Sequence, residues 1–153
     1  MPGLELPDLA ATLDLGRRLG SAARAGDVVL LEGRLGAGKT ALVRGIAEGL
    51  GSTDEVLSPT FVLVRHYRGR LALVHADLYR LEDPRDVDRL GLLELADEGV
   101  LVVEWPERSP RLDSFATLRI RLDLGPSGGA RTGLVLSAAK HLEVAVMAAS
   151  GPP

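Results

Sequence analysis

Residues 28–40 read VVLLEGRLGAGKT, and no other stretch limits the possible folds as tightly. The almost wholly apolar VVLLE reads as a short strand buried on both faces, as in a parallel sheet covered by helices. It runs directly into GRLGAGKT (33–40), which fits the spacing G-x-x-x-x-G-K-S/T without a gap. An amphipathic pattern follows, with Leu42, Val43, Ile46, Ala47 and Leu50 on one side and Gly51 placed to end a helix. Strand, glycine loop and helix together make a phosphate cradle. Gly33, Gly36 and Gly38 let the backbone curl so that its N–H groups point inward, and the helix N-terminus adds partial positive charge. Lys39 supplies a point charge for the terminal phosphates and Thr40 a hydroxyl for magnesium. The nucleotide contacts expected here are Gly33, Leu35, Gly36, Ala37, Gly38, Lys39, Thr40 and Ala41.

The base follows partly from composition. Guanine readers of this class commonly use Asn-Lys-x-Asp, and the chain contains no asparagine, which favours ATP. The absence of cysteine excludes disulfides and thiolate metal sites. The net charge of −3 lacks the basic excess of an independent nucleic-acid binder, so direct DNA binding is not expected. Neither a secretory leader nor an apolar run of about 20 residues is visible, which points to the cytoplasm and away from a membrane.

A length of 153 residues suits one domain with its own core. Residues 8–24 carry helical spacing, with Asp8 as N-cap. FVLVRHY (61–67) and RLALVHA (70–76) read as a hairpin around Arg68-Gly69. A helix is expected over 85–97, then the apolar strand VLVVE (100–104), then an antiparallel pair formed by TLRIRLDL (117–124) and TGLVLSA (132–138). The tail over 148–153 reads as disordered. Alternating strands and helices predict an α/β, three-layer P-loop NTPase-like domain over 1–153. Its sheet is expected to be mixed and mainly parallel, flanked by helices and antiparallel hairpins.

A phosphate loop of this kind needs a carboxylate near its metal, at the C-terminal end of a strand in the same sheet. Asp77 follows LALVHA and Glu104 closes VLVVE, so each qualifies. The intervening helix makes these strands a βαβ unit and therefore parallel. If both also run parallel to 28–32, the two acids reach the phosphate edge together, and 61–67 must run antiparallel. His75 reads as a structural histidine, and no histidine metal site is expected.

LEGRLGAGKT, SPTF (58–61), HADLYRL (75–81) and EWPER (104–108) occur in this order and at these intervals. In this the chain resembles the TsaE (YjeE) family, bacterial ATPases of tRNA threonylcarbamoyladenosine synthesis, from about residue 8 to residue 136. The resemblance implies phosphate and magnesium roles for Lys39 and Thr40. It also implies a metal carboxylate at Glu104, and at Asp77 a group that positions water or supports the metal. It further implies a switch-like segment with Ser58 and Thr60, an aromatic at Trp105 beside the nucleotide and a basic residue at Arg131. The catalytic set is then Lys39, Asp77 and Glu104, the metal set Thr40 and Glu104, and the cofactors ATP and Mg²⁺. The implied partners are TsaD and TsaB, with tRNA engaged through them. Arg34, Ala41 and Ala76 depart from common family choices without removing a phosphate or metal ligand.

Two other readings stay open from the residues. Glu107-Arg108-Ser109 superficially resembles a nucleoside-kinase motif, although no lid insertion is visible to exclude water from an acceptor. A nucleotide-gated binding module without catalysis is the third, and the two intact acids argue against it.

Overall fold

A computed structural model describes residues 3–34, 36–57, 63–125 and 130–149. The elements run β1 (Gly3–Leu6), α1 (Leu9–Ala22), β2 (Val28–Glu32), α2 (Lys39–Gly49), β3 (Val64–Tyr67), β4 (Leu73–Asp77), α3 (Pro84–Leu90), α4 (Leu92–Leu95), β5 (Val100–Glu104), β6 (Leu118–Leu124), β7 (Arg131–Ala138) and α5 (Lys140–Ala149), with two short 3-10 turns between β5 and β6. The strands form one seven-stranded sheet in the order β1-β7-β6-β2-β5-β4-β3. Its mixed character is as expected. The three central pairings, β6–β2, β2–β5 and β5–β4, are parallel, and the outer three are antiparallel.

Side-chain alternation explains the layers. Val29 and Leu31 face a core shared with α1, α2 and α5, while Val28 and Leu30 face α3, α4 and Leu112. A central strand covered on both sides favours apolar residues on both faces, which is why β2 reads as a nearly continuous apolar run. In β6, Leu118, Ile120 and Leu122 are buried and Arg121 and Asp123 are exposed, so its period of two survives in the sequence.

The helix carrying the glycine loop is held by backbone contact. Gly16 and Gly20 of α1 meet Gly45 and Gly49 of α2, and a Cβ added at Gly16 would lie 2.5 Å from the Leu42 carbonyl oxygen. Each of the other three glycines likewise abuts backbone of the facing helix. Asp8 caps α1 by accepting from the Ala11 N–H at 2.8 Å, as its position before the helix suggested. At the opposite end, the Arg70 guanidinium donates to the carbonyls of Gly20 and Ala23, at 2.9 and 3.0 Å, and ties the β3–β4 connection to α1.

Several boundaries differ from expectation. The helix expected over 85–97 is two short helices, because Gly91 adopts a left-handed conformation (φ 62°) between them. β1 is a strand of four residues, too short for its alternation to stand out, and it is secured by pairing with β7. α5 packs Leu142 and Val146 into the core, and the buried Asp27 carboxylate lies 2.9 Å from its His141 Nε2. The tail expected from residue 148 is corrected accordingly: 148 and 149 belong to α5, and 150–153 lie outside the described residues. Residues 61 and 62 of the expected FVLVRHY strand also lie outside them. Among the described residues, no helix is long and apolar enough to cross a membrane.

Candidate functional site

β2, β4 and β5 are parallel, and the loop leaving β2 opens beside the ends of the other two. That loop is shaped by glycines in conformations that disfavour other residues: Gly33 (φ 147°), Gly36 (φ 81°) and Gly38 (φ 100°). Gly33 is constrained in space too, since a Cβ there would lie 2.5 Å from the Leu122 carbonyl oxygen. α2 begins at Lys39, so the loop delivers its last N–H groups at a helix N-terminus. Thr40 and Ala41 occupy the first turn and are half-buried, and Ala37 is buried. The side chain of Arg131 lies over Gly38, its Cγ 3.6 Å from where a Cβ would stand. Leu35, Ser58 and Thr60 lie outside the described residues.

Asp77 and Glu104 are in-register neighbours at the ends of β4 and β5. Both are buried, and both lie on the sheet face that carries α2, the face of Leu73, Val100 and Val102. The expectation that parallel strands would bring the two acids to one edge is met. The Asp77 carboxylate accepts the Tyr79 N–H at 2.9 Å, a local turn that fixes it at the strand end. Burial pushes its pKa up; the Tyr79 hydrogen bond opposes this and the Glu104 charge reinforces it.

Lys39 joins the two acids to the loop. Its Nζ donates to the Gly33 carbonyl at 2.5 Å, stands 3.8 Å from Glu104 Oε1, and lies 4.6 Å from the centroid of the Trp105 ring. The ammonium therefore meets a carbonyl, a carboxylate and an aromatic face in one buried spot. Burial draws its pKa below the ordinary lysine value, and the charges of Glu104, Asp77 and Glu107 work against that shift.

Trp105 is the only non-glycine residue with positive φ (57°) among the described residues, a conformation that costs an aromatic residue on the order of 1–3 kcal/mol. The turn it makes swings the indole from the end of β5 to the lysine. Tyr79 packs against the indole, ring centroids 4.8 Å apart and planes inclined by 46°.

Three contributors escaped the sequence reading. Tyr79 supports the tryptophan, and Glu107 adds negative charge around Lys39. His75 is fully buried with its Nε2 2.5 Å from Glu104 Oε2, so it contacts one of the two strand-end acids and does more than fill the core. The signal for His75 was strand parity: two residues before Asp77, it had to share the face of both acids.

Among the described residues, no group of three or more His, Cys, Asp or Glu could hold a metal by itself. The donors that do converge are hard oxygens, the type that suits an ion completing its shell with phosphate and water.

Comparison with known proteins agrees with this architecture. The family model described as threonylcarbamoyl adenosine biosynthesis protein TsaE matches residues 6–132. The protein named tRNA threonylcarbamoyladenosine biosynthesis protein TsaE from a Nostoc species is 44% identical over 135 residues, covering 84% of this chain and 82% of its own. Its Mycobacterium leprae namesake is 50% identical over 122 residues, covering 73% and 76%. The crystal structure of Bacillus subtilis YdiB superposes with a TM-score of 0.75 at 28% identity, over 97% of this chain and 93% of that one. With the loop, both strand-end acids and the sheet order in place, the chain belongs to the TsaE family.

Proposed function

We propose that residues 1–153 act as one ATP-hydrolysing unit that supports tRNA threonylcarbamoyladenosine modification, as a partner-stimulated switch on a synthase of TsaD and TsaB. The observation that carries this reading is the meeting of Lys39, Asp77 and Glu104 at the mouth of one glycine loop. A binding module needs the loop, but it does not need two carboxylates buried beside it at a desolvation cost.

In this reading the N–H groups from Gly33 to Thr40 hold the phosphates, and Lys39 neutralises charge on the terminal ones. Trp105 and Arg131 border the nucleotide, and the family resemblance adds Ser58 and Thr60 to its contacts. Mg²⁺, held by Thr40 and Glu104, would neutralise charge between the β- and γ-phosphates. Asp77 orients the attacking water and accepts its proton as the new P–O bond forms and the bond to ADP breaks. Its raised pKa makes it a better base at neutral pH than an exposed aspartate. The absence of asparagine supports ATP over GTP. Arg80 and Arg108 are candidates for an arginine finger in cis; a finger supplied in trans accelerates such reactions about 10³- to 10⁵-fold. The negative net charge supports tRNA contact through the partners, in the cytoplasm.

The test is phosphate release from ATP by the purified chain, alone and with cognate TsaD, TsaB and tRNA. Slow release that rises with the partners is expected. Turnover that appears only on adding a nucleoside acceptor would replace this reading with a kinase.

A further inference from the structure

We infer that His75 is a positioning residue for Glu104: it holds one carboxylate oxygen so that the other faces the phosphate site. This rests on the reading of Glu104 as a metal carboxylate.

The two oxygens of Glu104 have different neighbours. Oε2 lies 2.5 Å from His75 Nε2, and Oε1 is turned towards Lys39 Nζ at 3.8 Å. A carboxylate that ligates a cation has no proton to give, so the imidazole donates through Nε2–H. That assignment leaves Nδ1 as the acceptor nitrogen, and it is buried with no hydrogen-bond partner among the described residues. Glu104 is thus the one polar partner that the ring has there. A fully buried imidazole whose polar contact is spent on a single carboxylate is an expensive way to fill a core, where Val or Leu would pack without an unsatisfied nitrogen.

The sheet explains how the contact arises. His75 sits on β4 and Glu104 on the adjacent parallel β5, two residues apart in register because His75 pairs with Val102 and Asp77 with Glu104. Both side chains stand on the α2 face, and the glutamate leans back along the sheet to meet the ring. Without the histidine, the Glu104 carboxylate would rotate freely about its last torsion, which is broad for a glutamate. Its free rotation would also allow both oxygens to turn to Lys39, which lies within ion-pair distance already. Outer groups that orient a metal carboxylate typically contribute 10- to 100-fold to metal affinity.

The experiment is Mn²⁺ binding to the ADP complex of the full chain, read by electron paramagnetic resonance, for wild type and His75→Gln, His75→Asn and His75→Leu. ADP affinity in EDTA and thermal midpoints are measured alongside. Glutamine places its amide nitrogen at the ε position, where it can still donate to Glu104; asparagine places it one bond short. Leucine and asparagine are expected to weaken Mn²⁺ binding about tenfold or more, with ADP affinity in EDTA unchanged and glutamine restoring most of the loss. Mn²⁺ affinity that is the same in all variants, or equal losses in glutamine and asparagine variants, would overturn the assignment and leave His75 a packing residue. The Gln–Asn pair decides the matter even if the leucine variant fails to fold. A wild type that binds ADP but no Mn²⁺ would instead overturn the metal reading of Glu104 beneath it.

Discussion

The two sides of the glycine loop are built on opposite principles. On one side α2 is fixed to α1 by the absence of side chains, Gly16 and Gly20 against Gly45 and Gly49, with backbone touching backbone. On the other side Asp77, His75 and Glu104, buried on β4 and β5, form with Lys39 of α2 and the half-buried Trp105 a cluster in which charges and rings balance one another. The first arrangement tolerates no added atom. The second can exchange partners: in the proposed function, contacts of Lys39 are traded for phosphate oxygens. A site that must hold phosphate rigidly and still respond to its terminal group has use for both.

Substitutions can break this comparison at either side. The largest effect is expected from Lys39→Ala, which in the proposed function removes the charge that faces the terminal phosphates and should reduce ATP turnover below detection in a phosphate-release assay while the protein stays folded. Circular dichroism with a thermal midpoint at or above wild type would establish the second half, because a buried amine with a lowered pKa costs stability where it is charged. Next is Gly45→Val, whose side chain would enter the α1 backbone around Leu13 and Gly16. A loss of about 3 kcal/mol is expected in urea unfolding, above the usual cost of overpacking because backbone cannot step aside. A loss below about 1 kcal/mol would show that the two helices can separate.

Trp105→Gly removes the ring under Lys39 and, with no Cβ, relieves the left-handed backbone at the same time. Nucleotide binding is expected to weaken about tenfold by calorimetry while unfolding free energy changes by less than about 1 kcal/mol, as the two contributions offset. The smallest effect is Asp77→Asn on stability. Burial raises the Asp77 pKa, so the ionised form destabilises the fold above that pKa and the neutral form does not. The variant should be more stable at neutral pH by about 1 kcal/mol, or roughly 2–4 °C in midpoint. The gain should fade as pH drops through the raised folded value and vanish below the ordinary value of 3.8. A gain that persists at the lowest pH would show a source other than charge burial.

Much of the site was visible in the sequence because it lies in short local patterns. The loop, its strand and its helix are contiguous, and Asp77 and Glu104 each close an apolar run, so spacing alone placed them at strand ends. What could not be read depends on distant residues meeting. His75 looks like any buried histidine until β4 and β5 are in register, and Tyr79 acquires meaning only when the turn at Trp105 brings an indole to it. The glycines of α1 and α2 were individually unremarkable, since weak helix formers lower the local preference and their spacing gains significance only from the facing helix. α5 and β1 failed to register for a related reason. β1 is short, and both lean on Asp27 or β7 for their place.

The in-register pairing of Asp77 with Glu104 also makes the site a matter of odd and even numbers. Successive residues of a strand face opposite layers, so one residue inserted or deleted within β4 would send Asp77 and His75 into the layer of Val87 and Leu112 and bring Ala76 or Leu78 to the phosphate edge. Surface loops away from the glycine loop can change length with little consequence. The two strands between which the acids stand can change length only in pairs of residues, and that restriction ties the chemistry to a count rather than to a particular side chain.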